Sequence, residues 1–364
     1  MGERQRALEE LVNRNPDREF WHGRRVFLTG HTGFKGAWMT LWLNRLGAEV
    51  HGFALPPDTE PSLWKEIGVG LLASETLADL ADQDRLQKAA DAARPEIVVH
   101  MAAQALVRVG YAEPVRTIAT NAMGTVRLLD ALRGSSDVQA VLIVTTDKVY
   151  ANDNSGRDFV ESDRLGGDDP YSASKAAAEI LTRSYARSFL GPAGVKVATA
   201  RAGNVIGGGD WAPDRLIPDV WRAVESGLPL KLRSPMATRP WQHVLDPLSG
   251  YLDYIEALLG DENVPRALNF GPPPSERATV AQVVGRMGAA LGLSSAWEPD
   301  SGEHPREMRA LSLDPSLARE SIGWSTRLPL ESALEWTADW YAGHRSGRRA
   351  LDLCAEQIDR YETL

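Results

Sequence analysis

The chain has 364 residues, of which 43% are hydrophobic and 24% charged, the composition of an ordinary globular protein. The net charge of −9 argues against a nucleic-acid binder, which would normally be basic. A single cysteine, Cys354, excludes a disulfide framework or cysteine-based metal site, and with seven scattered histidines we expect no metal. Residues 1–20 lack the apolar core of a signal peptide, and no run approaches the ~18 apolar residues of a membrane helix, so we expect a cytoplasmic protein.

Short apolar runs alternate with longer helix-forming stretches over the first 200 residues. Apolar runs that predict buried strands lie at 25–29, 49–54, 96–101, 139–145 and 195–201. Helices are predicted at 37–46, 114–132 and 172–189, a short strand followed by a helix at 77–93, and a short helix at 6–14 is also compatible with the pattern. This alternation predicts an α/β fold with a Rossmann-type, doubly wound parallel sheet.

The pattern changes after Arg201, where a glycine-rich loop at 207–213 is followed by shorter elements. We expect a sheet domain made of residues 20–201 and 239–271. A smaller mixed α/β domain should comprise 202–238 and 272–345, with terminal extensions at 1–19 and 346–364.

Three glycines, Gly30, Gly33 and Gly36, follow the first predicted strand and open the next helix. Glycine allows a tight turn and close approach of a pyrophosphate, and the helix N-terminus supplies N–H donors and a positive dipole end. The spacing and position predict a dinucleotide site, with a purely structural turn as the alternative.

The choice between NAD and NADP depends on the region after the second strand. Asp58 lies about 20 residues past the glycines, as the dinucleotide pattern asks, but in a proline-rich loop. Residues 46–84 contain no arginine to take a 2′-phosphate, which favours NAD. Asp79 is predicted either to accept from the adenine amine or to cap a helix.

Tyr171 and Lys175 are four residues apart at the start of a predicted helix, which places them on one face. A nearby ammonium stabilises a phenolate, so Lys175 should lower the pKa of Tyr171 and make it a usable base. Thr146 and Asp147 follow a predicted strand and lie about 25 residues before Tyr171. The Thr146 hydroxyl could share a hydrogen bond with a substrate hydroxyl, or both residues could simply cap the following turn.

Together, these features resemble the extended short-chain dehydrogenase/reductases. Longer stretches are similar to the CDP-glucose 4,6-dehydratases, and they lie at 29–36, 100–104, 147–148, 169–172, 202–211 and 239–251. The resemblance runs from about residue 20 to residue 341 and implies NAD as cofactor and a nucleotide sugar, CDP-glucose, as substrate. The residues that it implies for cofactor binding are Gly30, Thr32, Gly33, Phe34, Lys35, Gly36, Asp79, Leu80, Ala102, Ala103, Gln104, Tyr171 and Lys175.

The resemblance also implies roles in forming CDP-4-keto-6-deoxyglucose by 4-oxidation, elimination of water across C5 and C6, and reduction at C6. Tyr171 takes the proton of the 4-hydroxyl, Lys175 bonds the nicotinamide ribose, and Asp147 protonates the departing 6-hydroxyl. Lys148 is either the C5 base or a cation that stabilises the enolate. The residues implied for substrate binding are Gln104, Arg201, Asn204, Arg215, Arg233, Arg239 and His243.

Several alternatives stay open at this point. Arg201 could form a surface salt bridge, His243 could be a packed histidine, and Trp211 and Trp241 could stack on a pyrimidine or belong to the core. Residues 151–158 are polar where the family often has aromatic side chains, which bears on the sugar preference.

Three rival functions also stay open: a sugar-nucleotide epimerase of the same superfamily, a dehydratase of a dTDP-, UDP- or GDP-sugar, and a catalytically silent nucleotide-binding regulator. Helices 114–132 and 172–190 carry apolar residues on more than one face, so we expect a homodimer.

Overall fold

The structure, a computed structural model, describes residues 14–292, 297–302 and 311–364. All but the last residue of the short helix considered at 6–14 lies outside these residues. The strands are β1 (Arg25–Thr29), β2 (Glu49–Ala54), β3 (Ser74–Leu77), β4 (Ile97–His100), β5 (Ala140–Val144), β6 (Lys196–Ala202), β7 (Val205–Ile206), β8 (Lys231–Leu232), β9 (Thr238–Arg239), β10 (Gln242–His243), β11 (Ala267–Phe270), β12 (Ala278–Thr279) and β13 (Glu298–Pro299).

The helices in the same residues are α1 (Arg18–Trp21), α2 (Phe34–Arg45), α3 (Leu63–Ile67), α4 (Gln83–Ala93), α5 (Val107–Ala112), α6 (Pro114–Ile118), α7 (Gly124–Ala131), α8 (Pro170–Tyr185), α9 (Leu216–Ser226), α10 (Leu245–Gly260), α11 (Val280–Leu291), α12 (Ser316–Ile322), α13 (Leu330–Arg345) and α14 (Ala350–Glu362). Single π-helical turns follow α6 at Ala119–Met123 and α8 at Ala186–Leu190. The predicted helix at 114–132 is therefore one helical stretch interrupted by a π turn.

Seven strands form one parallel sheet in the order β11-β6-β5-β4-β1-β2-β3. The central strands β4 and β5 are buried along their whole length because helices cover both faces of the sheet. The order steps from β1 to β3 on one side and from β4 to β11 on the other, which is doubly wound topology. The predicted α/β fold class is confirmed.

Short strand pairs lie beyond the main sheet. β7 pairs with β10, β8 with β13 and β9 with β12, so segments from 205–243 contact segments from 278–299. Helix α10 and strand β11 return the chain to the main sheet, where β11 pairs with β6. The division into two domains stays a prediction.

The C-terminal segment packs on the main body. Leu353, Cys354, Ile358 and Tyr361 of α14 are buried in the large apolar core. The Tyr361 ring meets Trp42 edge to face at 5.6 Å. Residues 350–362, expected to form part of a terminal extension, thus help to hold α2 against the sheet.

In the part of the chain that the structure describes, no helix is both long and apolar enough to cross a membrane. The same residues contain no cluster of three or more His, Cys, Asp or Glu side chains that could hold a metal ion.

Candidate active site

A cleft of about 630 Å³ opens at the carboxyl ends of β1, β4, β5 and β6. This edge of a doubly wound sheet is where such folds bind ligands. Predicted site residues in its wall are Gly30, Thr32, Gly33, Phe34, Lys35, Gly36, Asp79, Leu80, Ala102, Ala103, Thr146, Asp147, Lys148, Tyr171, Lys175, Asn204, Arg215, Arg233 and Arg239. Most of the predicted site is therefore brought together.

The glycine turn leaves a cradle in the cleft wall. Gly30 has a φ of +79°, and a Cβ there would lie 2.6 Å from the Ala102 nitrogen. A Cβ on Gly36 would lie 2.0 Å from the Gly30 carbonyl oxygen. Helix α2 starts directly after Gly33, with no side chain capping its first turn. A pyrophosphate fits this place, because the backbone can approach it and the helix N-terminus faces it.

Two aspartates that were considered for binding the adenosine part of the cofactor also line the cleft. Asp79 lines the wall, but its Oδ1 also accepts a hydrogen bond from the Ala81 nitrogen at 2.8 Å, so it stabilises a turn as well. Asp58 lines the same cleft.

Gln104 is not part of the cleft wall. Its amide donates to Thr117 Oγ1 at 2.9 Å, and its Oε1 accepts from the Leu106 nitrogen at 2.6 Å. Both ends of its amide are used within the protein, and the predicted cofactor and substrate contacts of Gln104 stay predictions that the shape of the cleft does not support.

Tyr171 and Lys175 lie in the first turns of α8. Asp169 caps this helix by accepting from the Ser172 nitrogen at 2.9 Å, and Pro170 suits the first turn. Both side chains are buried and line the cleft. Lys175 Nζ donates to the Val144 carbonyl at 3.2 Å.

The acid–base properties of this pair differ from the prediction. Burial raises the pKa of Tyr171 to about 12, while the Thr146 hydrogen bond and the charge of Arg215 act in the opposite direction. Burial also lowers the pKa of Lys175 to about 8, against the charge of Glu179. The expected lowering of the Tyr171 pKa by Lys175 is therefore corrected: burial dominates, and Arg215 is the cation that opposes it.

Asp147 lies next to Thr146 in a short turn after β5. Thr146 Oγ1 donates to Asp147 Oδ1 at 2.9 Å, and Lys148 Nζ is 3.8 Å from the same oxygen. The other oxygen, Oδ2, is buried and has no hydrogen-bond partner among the described residues. It faces Gly203, where a Cβ would come within 3.0 Å of it. Asp147 itself lines the cleft, so an acceptor with no partner among the described residues lies at the edge of the ligand site.

Lys35, which belongs to the glycine turn, lies in the cleft close to the charges of Asp147 and Lys175. Its Nζ donates to the Tyr251 hydroxyl at 2.9 Å. Burial, together with the charges of Lys175 and Arg215, lowers the pKa of Lys35 to about 7, while Asp147 raises it. Tyr251 was not singled out from the sequence, because it lies 216 residues from Lys35 and no local pattern joins them.

Arginines also line the cleft. Arg215 Nη1 donates to Asp210 Oδ2 at 3.0 Å, which orients its guanidinium in the wall. Arg108 also lines the cleft and pairs with Asp214 at 2.7 Å. Arg108 was missed by sequence reasoning, since a single arginine in a helix carries no signal of its own.

Two predicted substrate ligands lie in the interior instead. Arg201 forms a buried ion pair with Glu179 at 2.9 Å, so it is neither a cleft residue nor a surface salt bridge. His243 packs between the rings of Trp38 and Trp336, and burial lowers its pKa to about 3. Neither lines the cleft, so their predicted substrate contacts stay predictions that the shape of the cleft does not support.

The two tryptophans considered for base stacking differ. The Trp211 ring packs against Trp340 and Tyr341 and is not in the cleft wall. Trp241 touches the wall but is almost fully buried, with its Nε1 donating to the Ala278 carbonyl at 3.2 Å. Trp211 is half-buried at the edge of the core, which favours the core interpretation over stacking on a pyrimidine.

A doubly wound sheet, a phosphate cradle after β1 and a Tyr–Lys pair beside it define a dinucleotide-dependent enzyme class. Residues 26–271 match the model of the NAD dependent epimerase/dehydratase family. The chain belongs to this family, whose cofactor is NAD, as predicted.

Individual relatives are also similar. The chain is 41% identical over 351 residues to CDP-glucose 4,6-dehydratase of Salmonella typhimurium, covering 95% of this chain and 98% of that one. The solved structure of Thermus thermophilus UDP-glucose 4-epimerase, a complex with NAD, superposes with a TM-score of 0.75 at 25% identity, over 88% of this chain and 99% of that one. The dTDP-glucose 4,6-dehydratase of Bacillus anthracis has a TM-score of 0.73 at 21% identity, over 90% and 100%, a likeness of fold alone.

Proposed function

We propose that this protein is an NAD-dependent dehydratase that converts CDP-glucose to CDP-4-keto-6-deoxyglucose. The observation that carries the proposal is the Asp147 carboxylate, with one oxygen unpartnered among the described residues and Lys148 3.8 Å from the other, in the cleft that holds Tyr171. An epimerase needs the Tyr–Lys pair but has no use for an added acid and cation. The 41% identity to a CDP-glucose 4,6-dehydratase over 95% of the chain supports the same substrate.

The residues of the cleft fit the cofactor. Gly30 and Gly36 leave room for the pyrophosphate, Lys175 is placed to bond the nicotinamide ribose, and Asp79 to accept from the adenine amine. NAD, when bound, supplies reversible oxidation and reduction of the sugar.

In the first stage Tyr171 accepts the proton of the sugar 4-hydroxyl. To accept a proton Tyr171 must first be the phenolate. Burial disfavours that form and raises the pKa of Tyr171 to about 12, even though the Thr146 hydrogen bond and the Arg215 charge act in the opposite direction. The positive charge of a bound nicotinamide would favour the phenolate further. The 4-ketone that results makes the C5 proton acidic.

In the second stage water leaves as a proton from C5 and a hydroxyl from C6. Asp147 donates the proton that the 6-hydroxyl needs to depart as water. Lys148 acts at C5 in one of two ways: as a neutral amine it takes the C5 proton, or as a cation it stabilises the enolate while the Asp147 carboxylate takes the C5 proton and passes it to the departing 6-hydroxyl. Lys148 Nζ lies 3.8 Å from Asp147 Oδ1, a spacing compatible with action on two adjacent carbons, the ring carbon C5 and the exocyclic carbon C6.

The nucleotide end is assigned to the arginines of the cleft. Arg233 and Arg239 are suited to the diphosphate because guanidinium binds phosphate through paired hydrogen bonds. The polar segment 151–158 contributes nothing to the cleft wall among the described residues, so its departure from the family pattern does not argue against glucose.

We also propose a homodimer in the cytoplasm. Val115, Ile118 and Met123 around α6, and Ile180 and Phe189 along α8 and its π turn, expose apolar side chains. The two helices contact each other, so these residues can contribute to a single surface that a second copy would cover. A reduced, buried Cys354 is compatible with the cytoplasm.

The acid role is tested by Asp147→Asn in deuterated solvent with CDP-glucose and NAD. We expect water loss to slow by about 10²- to 10⁴-fold, the usual contribution of a general acid, while deuterium still enters at C5. Asp137→Asn, a surface carboxylate that pairs with Arg94, is the matched control and should behave as wild type. Wild-type rates of water loss in Asp147→Asn would contradict the proposed role.

A further inference from the structure

A buried network lies directly behind Tyr171 and Lys175. Glu179 follows Lys175 by one helical turn on the same face of α8, and both side chains are buried. Glu179 Oε1 accepts from Thr145 Oγ1 at 2.6 Å and from Arg201 Nε at 3.0 Å. Its Oε2 accepts from Thr199 Oγ1 at 2.8 Å and from Arg201 Nη2 at 2.9 Å. Four hydrogen bonds thus hold this carboxylate in one orientation.

The network extends away from the cleft. Arg201 Nη1 donates to the Tyr150 hydroxyl at 2.8 Å and to the Glu161 carbonyl at 3.1 Å. The Tyr150 hydroxyl donates in turn to Asn269 Oδ1 at 2.6 Å. Neither Glu179 nor Arg201 lines the cleft, so the pair does not act by touching a ligand.

Stability alone does not explain a buried pair at this place. The desolvation of two buried charges largely offsets their attraction, and well-packed apolar side chains often serve as well. The pair does, however, join the end of β5, the strand β6 and the helix α8, at the point where Thr145 precedes Thr146. Its position indicates a role in arranging the reacting groups.

The charges around Lys175 point to the same role. Burial disfavours the ammonium, and Glu179 is the charge that favours it. From the other elements, Lys35 of the glycine turn is a second cation that couples to Lys175, and His100 of β4 is held neutral, with a pKa lowered to about 3.

We propose that Glu179 is a positioning residue: it maintains the charge of Lys175 and holds the Thr145–Thr146 end of β5 against α8. Arg201 orients the carboxylate for this task. The inference rests on the proposed function, in which the Lys175 ammonium is the cation beside the cofactor ribose and Tyr171.

The direct test is the titration of Lys175 itself. The chain has seven lysines, so side-chain ¹³Cε labelling gives a simple NMR spectrum in which loss of one signal in Lys175→Arg assigns that residue. In Glu179→Gln we expect the Lys175 midpoint to fall by about one pH unit, because the substitution removes the opposite charge that lies one helical turn away on the same face of α8. Glu256→Gln is the matched control, because Glu256 is also buried and paired with an arginine, Arg14. In this control the titration midpoint of Lys175 should equal that in the wild type.

A second variant separates the effect of the lost Glu179 charge from the effect of misfolding. Glu179→Gln leaves the Arg201 charge buried and unpaired, whereas Glu179→Gln combined with Arg201→Gln removes both charges, and its Lys175 midpoint should also fall. An unmoved midpoint in either folded variant overturns the proposal.

Turnover gives a second readout. The Lys175 ammonium is lost as the pH rises through its pKa, so the alkaline limb of the kcat profile should move to lower pH in Glu179→Gln. An equal loss of kcat at every pH, with the limb unmoved, would mean a purely structural role and overturn the proposal. The NMR titration needs no substrate, so failure of the wild type to dehydrate CDP-glucose would contradict the proposed function and leave the Glu179 result standing.

Discussion

Replacing Gly36 with alanine should close the phosphate cradle. The added methyl group would lie 2.0 Å from the Gly30 carbonyl oxygen and 2.8 Å from His31 Cα. Ordinary van der Waals contact starts at 3.4 Å, so the turn must retreat by about 1.4 Å. Overpacking of this kind costs about 1–3 kcal/mol, so we expect the affinity for NAD to fall by about 10- to 100-fold. The atoms in the way are backbone, which cannot swing aside as a flexible side chain would.

Calorimetric titration with NAD measures this effect, with Gly285→Ala as the matched control. Gly285 lies in α11, and a Cβ there meets no heavy atom within 4 Å, so the control should bind NAD as wild type does. It should also gain up to about 1 kcal/mol of stability, because alanine is a better helix former than glycine. Binding of NAD by a folded Gly36→Ala within about threefold of the wild-type affinity would refute the cradle.

The other variants test separate parts of the account. Lys148→Ala should still form the 4-ketone but should not eliminate water, which the product masses will show. Full turnover in this variant would remove Lys148 from the mechanism, and turnover in Lys148→Arg would favour the cation role over the base role. Burial raises the pKa of Asp246 to about 7, so its stabilising contribution is complete below its ordinary pKa of about 4 and is lost as the pH rises through about 7. Asp246→Asn should therefore flatten the fall in melting temperature over that range, and an unchanged slope would argue against the shift. Ile118→Glu should reduce the mass in micromolar solution from two chains to one, and a wild type that is already monomeric would refute the dimer.

Much of the fold was predictable because its signals are local. The apolar runs at 25–29 and 139–145 bury both faces of a parallel strand, which leaves a continuous hydrophobic pattern. The glycine turn was predictable from its local spacing, and two of its glycines are required by close backbone contacts: Gly30 by Ala102 at the neighbouring strand end and Gly36 by the Gly30 carbonyl. A Cβ on Gly33 would make only an ordinary contact, at 3.5 Å from the Gly30 carbonyl oxygen. Helix α2 nevertheless starts at Phe34, three residues before the predicted start, because Gly33 serves as its N-cap.

The direction of a side chain at a strand end was not predictable in the same way. Arg201 ends a strand that leads to the cleft, yet it turns inward because Glu179, 22 residues earlier, offers a buried carboxylate. His243 turns into an aromatic core formed by Trp38 and Trp336, which are distant in sequence. The side-chain amide of Gln104 donates a hydrogen bond to Thr117 Oγ1. For Arg201 and His243 the deciding partners come from remote segments, which the local pattern does not contain.

The central claim is tested most directly by the masses of the products formed with NAD from CDP-glucose, dTDP-glucose, UDP-glucose and GDP-mannose, each in a separate reaction. We predict loss of one water from CDP-glucose, without lasting accumulation of NADH, because the cofactor is regenerated within each turnover. Water loss from another nucleotide sugar alone would keep the mechanism and contradict the substrate. An unchanged mass with an inverted sugar centre would indicate an epimerase, and no change with any of the four would contradict the proposed activity altogether.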